Sequence, residues 1–391
     1  MRWASAVSGA EDLSQAAAEC AAAVRDQLGG KRPDLAVVFP SGEHREEYGS
    51  IPERIRRECD ARVLIGCSAG GVIGAGREVE NGPGLSLTAA VLPDVTLRPF
   101  HLENEELPEE STGAAEWEGA TGVRATEEPH FLLLPDPFTL DTQRLLSGLD
   151  RVFPTGTKVG GVASGARSPG ENALFLDDRS LGSGIVGVAM SGNITVDTLV
   201  AQGCRPIGEP MFVTRCRDNL LLALDGRPPR EVLQGLHSRL AGRDRQLIRE
   251  SLFLGVAMRD AASEYRQGDF LIRNVMGIDP SSGALAVGAS LRENEIVQFH
   301  LRDARTSAED LDCLLSRHQQ EPRALGSFLF SCLGRGLHLY GRPNHDADAF
   351  RRHLGEVPLG GFFCNGEIGP VQGTTFLHGY TSSFGLFRPR G

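Results

Sequence analysis

A short apolar run, Val63-Leu64-Ile65, stops at Gly66 and gives way to the small residues Cys67-Ser68-Ala69-Gly70-Gly71. The passage recurs twice, as Val159-Gly160-Gly161-Val162-Ala163-Ser164-Gly165 and as Leu359-Gly360-Gly361-Phe362-Phe363-Cys364-Asn365-Gly366. Apolar strand candidates precede each copy (35–39, 131–134, 327–330) and follow it (84–92, 184–190, 375–387). Matching the first two copies sets Gly161 against Gly66 and Gly165 against Gly70. Repetition of a whole supersecondary unit constrains a fold more than any local propensity does. The expectation is an α/β protein: two α/β halves, 1–220 and 221–391, built from repeated strand-helix-strand-strand units with mixed sheets. Strand, helix, strand in that order calls for crossovers between parallel neighbours.

Composition enters through what it excludes. A formal charge of −11 argues against a nucleic-acid partner, whose backbone needs a basic surface. No apolar run reaches the ~18–20 residues of a membrane helix, and Glu11, Asp12 and Glu19 interrupt any leader pattern, so a cytoplasmic protein is expected. The eight cysteines form no CxxC pair, so free thiols and no metal site of that spacing are expected.

Along the chain, Ser8 and Glu11 resemble a capping box for a helix ending at Gly29-Gly30. Residues 103–128 are glutamate-rich and read as an exposed excursion. Asp136, held between Pro135 and Pro137, caps the next helix or orients a ligand. The Gly- and Pro-dense segment 202–210 reads as a turn separating the halves, with Arg205 fixed in it as an anion clamp or as a strut to a carboxylate. Strand candidates at 284–291 and 296–301 read as a pair, and Asn344 or Asp346 as the cap of a helix carrying Phe350.

Two readings of the glycine turns stay open: successive N–H groups forming an anion-binding nest, or strand-turn geometry without a ligand. On the first, Gly66, Cys67, Ser68, Gly70, Gly71, Gly161 and Ser164 are site candidates, provided the repeats converge on one cleft. Arg205, Arg273 and Arg335 offer guanidinium forks for a carboxylate, and Ser68, Asn365 and Glu367 could take an amino or hydroxyl end. Cys67 as a nucleophile lacks a histidine in its own motif, so no catalytic residue is assigned.

Ordered blocks across the chain resemble the FIST-domain family. They are Ile65 to Gly74 with Arg77-Glu78-Val79-Glu80, 159–165, and Gln202-Gly203-Cys204-Arg205-Pro206-Ile207-Gly208 in the first half. In the second half they are Asp269 to Asn274, Gly277 to Pro280, Phe330-Ser331-Cys332 with Gly334-Arg335-Gly336, and Gly361-Phe362-Phe363 with Gly366 to Gly369. The resemblance implies a small-ligand sensor in signal transduction, taking amino acids or similar carboxylates between its FIST N and FIST C halves. It adds Cys204, Asn274 and Cys332 to the site candidates. It further implies a stand-alone chain, without the F-box of eukaryotic relatives, that signals to a separate protein. Some members bind haem and report nitric oxide; no ligating histidine maps onto a matching motif, so no cofactor is assigned. Haem remains the alternative, with His130, His300, His338, His345 and His378 as candidates.

Overall fold

The computed structural model describes residues 1–109, 111–240, 242–259, 264–319 and 321–390. It contains two compact units: residues 1–200 with 312–391, and residues 201–311. The chain is mixed α/β, as expected. The sequence boundary at 220 falls within the smaller unit.

The larger unit is three copies of one arrangement. The first runs β1 (Arg2–Ser8), α1 (Leu13–Leu28), β2 (Leu35–Pro40), α2 (Ile51–Cys59), β3 (Val63–Cys67), the hairpin β4 (Val72–Gly74) and β5 (Arg77–Val79), then β6 (Leu85–Val91). The second runs β7 (Val95–Leu102), α3 (Ala114–Thr121), β8 (His130–Pro135), α4 (Thr142–Val152), β9 (Lys158–Gly161), hairpin β10 (Leu174–Leu176) and β11 (Arg179–Leu181), then β12 (Ile185–Gly192). The third opens with β13 (Thr195–Gln202), after which the smaller unit is inserted. That unit holds β14 (Cys204–Arg217), β15 (Leu220–Leu224), α5 (Pro229–Arg239), α6 (Gly242–Glu250), β16 (Leu252–Ala257), β17 (Phe270–Ile278), β18 (Leu285–Val287) and β19 (Ile296–Arg302). The third copy resumes with α7 (Ala304–His318), β20 (Gly326–Cys332), α8 (Leu337–Tyr340), α9 (His345–Leu354), β21 (Leu359–Cys364), hairpin β22 (Glu367–Val371) and β23 (Thr374–His378), and β24 (Thr381–Arg388).

Each copy builds four strands of a six-stranded sheet and sends its hairpin to another. The orders are β1-β6-β2-β3-β10-β11, β7-β12-β8-β9-β22-β23 and β13-β24-β20-β21-β4-β5. The first hairpin thus completes the third sheet, the second the first, and the third the second. In each sheet the two central strands joined by a helical crossover run parallel: β2 with β3, β8 with β9, and β20 with β21. Apolar side chains from all three sheets share one core, where Phe39 stacks on Phe362 at 4.6 Å. The other face of the first sheet packs against α1 and α2, and that of the second against α3 and α4.

Register gives the glycines their reason. Gly66 lies beside Val38, Gly160 beside Leu133 and Gly361 beside Leu329. A Cβ at these three positions would stand 2.0, 1.9 and 1.9 Å from the neighbouring strand's carbonyl oxygen. The structural match to Gly66 is therefore Gly160, one residue before the Gly161 set by matching glycines, because the copies align through their strands.

Several local expectations are corrected. The N-cap of α1 is Asp12, accepting from Gln15 N at 2.7 Å, while Ser8 Oγ donates to Glu19. Residues 103–128 include α3, whose Trp117 is fully buried and occupies the space where a Cβ on Gly148 would stand. Asp141, not Asp136, caps α4. Asn344 begins α9 without a side-chain cap bond; its Oδ1 accepts from Glu78 N instead. Segment 204–217 is a strand, β14, of a closed barrel ordered β14-β15-β18-β17-β16-β19. There β19 pairs with β14 and β16, not with the 284–291 segment.

Candidate functional site

The three glycine turns meet. Ser164 N donates to Ser68 O (3.1 Å), and Asn365 N donates to Val162 O (3.0 Å). The third link passes through a side chain: Gly70 N donates to Ser164 Oγ (2.9 Å), which donates to Phe363 O. Ser68 N, Val162 N and Phe363 N donate in turn to Ala173 O, Gly366 O and Gly71 O. Gly66, Cys67, Ser68, Gly70, Gly71, Gly161, Ser164 and Asn365 are thus brought together. Their strand ends and turns are held by hydrogen bonds within the protein, so the N–H groups named here are already used and form no open nest.

Equivalent positions carry different chemistry. Ser41, Asp136 and Cys332 each stand beside the turn in parallel register, opposite Ala69, Ala163 and Cys364. Ser41 Oγ accepts from Gly84 N (2.9 Å). Asp136 accepts from Phe138 N, Thr139 Oγ1 and Asn172 Nδ2, and Asn172 Oδ1 accepts from Ser68 Oγ (3.0 Å). Cys67 is fully buried, and burial, with Asp136 adding to it, pushes its thiol far up. Such a thiol is no ready nucleophile. Cys364 Sγ donates to Glu367 Oε1 at 3.4 Å, and Thr381 N and Oγ1 donate to Glu367 Oε2 at 3.0 and 2.7 Å. Burial raises Glu367 to about 7 despite those bonds.

The hairpin β4–β5 of the first copy reaches into the third. Glu78 Oε1 accepts from Ala347 N in the first turn of α9 (2.7 Å), and its Oε2 is buried with no hydrogen-bond partner. Burial raises its carboxyl, and Asp346 raises it further. Both oxygens of Glu80 accept from Leu337 N, at 2.9 and 2.7 Å. Arg335 is buried in a bidentate pair with Asp346, Nε to Oδ2 at 2.9 Å and Nη2 to Oδ1 at 3.2 Å. Burial alone would raise Asp346; Arg335, His345 and Ser382 hold it low instead. Beside this cluster a cavity of about 320 Å³ is lined by Gly70, Glu80, Asn81, Leu333, Leu337, His338 and Phe363. Of the lining residues, Glu80, Asn81, Leu333, Leu337 and Phe363 were not among the site candidates read from the sequence. Only Glu80 carried a signal, the alternation in Arg77-Glu78-Val79-Glu80, which puts two carboxylates on one side of an extended chain.

The remaining candidates lie elsewhere. Cys204, Arg205, Arg273 and Asn274 belong to the barrel. Arg205 pairs with Asp244 and, at 3.8 Å, with Asp303, which makes it a strut to carboxylates. Of the histidines, His338 lines the cavity. His130 accepts from Thr157 N, and His300 packs edge-on to Phe270 at 5.0 Å; burial depresses both to about 4. His345 stacks on Tyr340 at 3.4 Å and hydrogen-bonds Asp346, while His378 Nε2 meets Gly369 O at 3.0 Å. Among the described residues no three His, Cys, Asp or Glu side chains are grouped to hold a metal ion.

Comparison with known proteins gives the family. The FIST N domain matches residues 34–227 and the FIST C domain residues 231–370. An uncharacterized protein of Mycobacterium tuberculosis is 38% identical over 391 residues, 99% of this chain and 100% of its own. An uncharacterized protein of Mycobacterium bovis is 36% identical, covering 96% of each. Human F-box only protein 22 is 37% identical over 105 residues, 25% of each chain. A solved cyanuric acid hydrolase from A. caulinodans covers 99% of both chains at 9% identity and TM-score 0.36, a likeness that carries no argument. FIST domains are associated with sensory binding of small ligands in signalling. Both halves of the FIST architecture are present in order, and the chain belongs to the FIST family.

Proposed function

We propose that this protein is a small-ligand sensor whose binding site is the cavity between the β4–β5 hairpin and the α8 region. The observation that carries the reading is the cavity itself: about 320 Å³, at the lower end of the range for ligand pockets. Two elements from distant parts of the sequence wall it, so a ligand touching both reports on their relative position. Among the described residues no serine or cysteine side chain lines it, which favours binding over turnover by a serine or cysteine nucleophile. Eight cysteines without a CxxC pair suit a reducing cytoplasm, and the output passes to a separate signalling protein.

A metabolite screen by thermal shift tests this. A ligand at ~100 times its dissociation constant adds roughly 2.7 kcal/mol to folded-state stability. Leu333→Trp, which fills the cavity, should abolish that response while the unliganded melting point is kept. A ligand whose response survives Leu333→Trp binds elsewhere and refutes this site.

A further inference from the structure

The charges around the cavity identify the ligand's chemistry more closely. Its side chains offer one carboxylate, Glu80, one carboxamide, Asn81, and one imidazole, His338; the rest of the wall is Leu333, Leu337, Phe363 and Gly70. Both Glu80 oxygens share a single N–H, that of Leu337, and an ionised carboxylate has about four lone-pair sites. Acceptor capacity therefore remains. The nearby guanidinium of Arg335 is engaged bidentately by Asp346, itself fully buried, and among the described residues no arginine or lysine lines the cavity. The Leu337 N–H, where an anion would otherwise dock, already holds Glu80. A carboxylate ligand would thus face a carboxylate with no fork to receive it. The apolar wall is unusually open to solvent: Leu333 is 44% and Leu337 42% exposed, while Phe363 beneath is buried.

We propose that the cavity binds a small cationic amine, its ammonium on Glu80 and its hydrocarbon body against Leu333, Leu337 and Phe363. This rests on the cavity being the sensor site. It replaces the expected carboxylate recognition, because of the three arginines that would have supplied it Arg335 is held by Asp346, Arg205 by Asp244 and Asp303, and Arg273 stands on a barrel strand outside the cavity lining. Burial and the nearby Asp346 raise the Glu80 carboxyl, an arrangement that an ammonium relieves.

The test is calorimetric titration of the full chain with three probes of one shape: 3-methylbutylamine, 3-methylbutanol and 3-methylbutanoate. The amine should bind, the alcohol about tenfold or more weaker, and the carboxylate not measurably, since a charge-assisted hydrogen bond contributes about 1.5–3 kcal/mol. Glu80→Gln should erase the preference for amine over alcohol, and Glu80→Asp should keep part of it. Leu333→Ala should weaken amine and alcohol alike. Unliganded melting points show whether each variant is folded. Carboxylate binding as tight as the amine's, an unchanged amine preference in Glu80→Gln, or no amine binding to the wild type each overturns the proposal. A metabolite that Leu333→Trp displaces but Glu80→Gln does not would sink the amine assignment and leave the sensor site standing.

Discussion

Glu367 gives the sharpest test of the buried electrostatics. It is fully buried, holds two bonds from Thr381 and one from Cys364, and has its carboxyl raised from 4.5 to about 7. Between those two values the folded protein binds the proton that the unfolded chain has released, so stability falls as pH rises through that window. A displacement of this size corresponds to roughly 3 kcal/mol, fully lost above pH ~7. Glu367→Gln keeps a carbonyl for Thr381 and removes the charge. Denaturant unfolding at about pH 5 and about pH 8 should show the wild type losing roughly 2.5 kcal/mol more than the variant, the rest of the displacement being lost below pH 5. At the higher pH the variant should melt about 6 °C above the wild type, at ~2 °C per kcal/mol for a unit of this size. Glu78 adds a loss of the same sign in both proteins, because burial and Asp346 raise it too. Equal pH slopes in the two proteins, or a variant less stable at both pH values, would refute the reasoning.

Gly66→Ala, Gly160→Ala and Gly361→Ala should each destabilise by about 1–3 kcal/mol or more, because each added methyl meets a backbone carbonyl; a wild-type melting point in any of them contradicts the register. Asp346→Asn removes the charge facing Arg335 in a buried pair and should cost about 3–5 kcal/mol in chemical denaturation. Cys67→Ala should leave both ligand response and fold in place, since the thiol is enclosed at a strand end; loss of response with an intact melting point would assign it a role in binding. Trp117→Ala should cost about 3–5 kcal/mol, a loss that an exposed excursion would not show.

The repeated turns were legible because the same steric demand recurs three times: a strand carbonyl occupies the place of a Cβ at Gly66, Gly160 and Gly361. Helices such as α1 and α9 were legible from their apolar period, but their caps were misplaced, and α3 was hidden in a segment read as exposed. The hairpins were not, since β4 and β10 are only three residues each and their partners lie in another copy. Nor was the barrel: local pattern cannot say that Ile296 to Arg302 pairs with β14 and β16. Arg205 was read as a clamp or a strut and Arg335 as a fork for a ligand, because the aspartates that hold them are distant in sequence or were read as caps. Trp117 was hidden among glutamates whose surface positions dominated the composition of its segment.

The exchange of hairpins means that no copy can complete a sheet by itself. Val72 pairs with Phe362, 290 positions further on (362 − 72), and the second sheet lacks its last two strands until residues 367–378 have been made. Such long-range pairing slows folding, because loop closure precedes the contacts that compensate for it. A chain growing from the ribosome therefore carries unpaired strand edges until its final segment emerges, and those edges are templates for aggregation. By the same topology, two fragments cut between copies each hold strands the other lacks, so they are expected to recover the native sheets only when mixed.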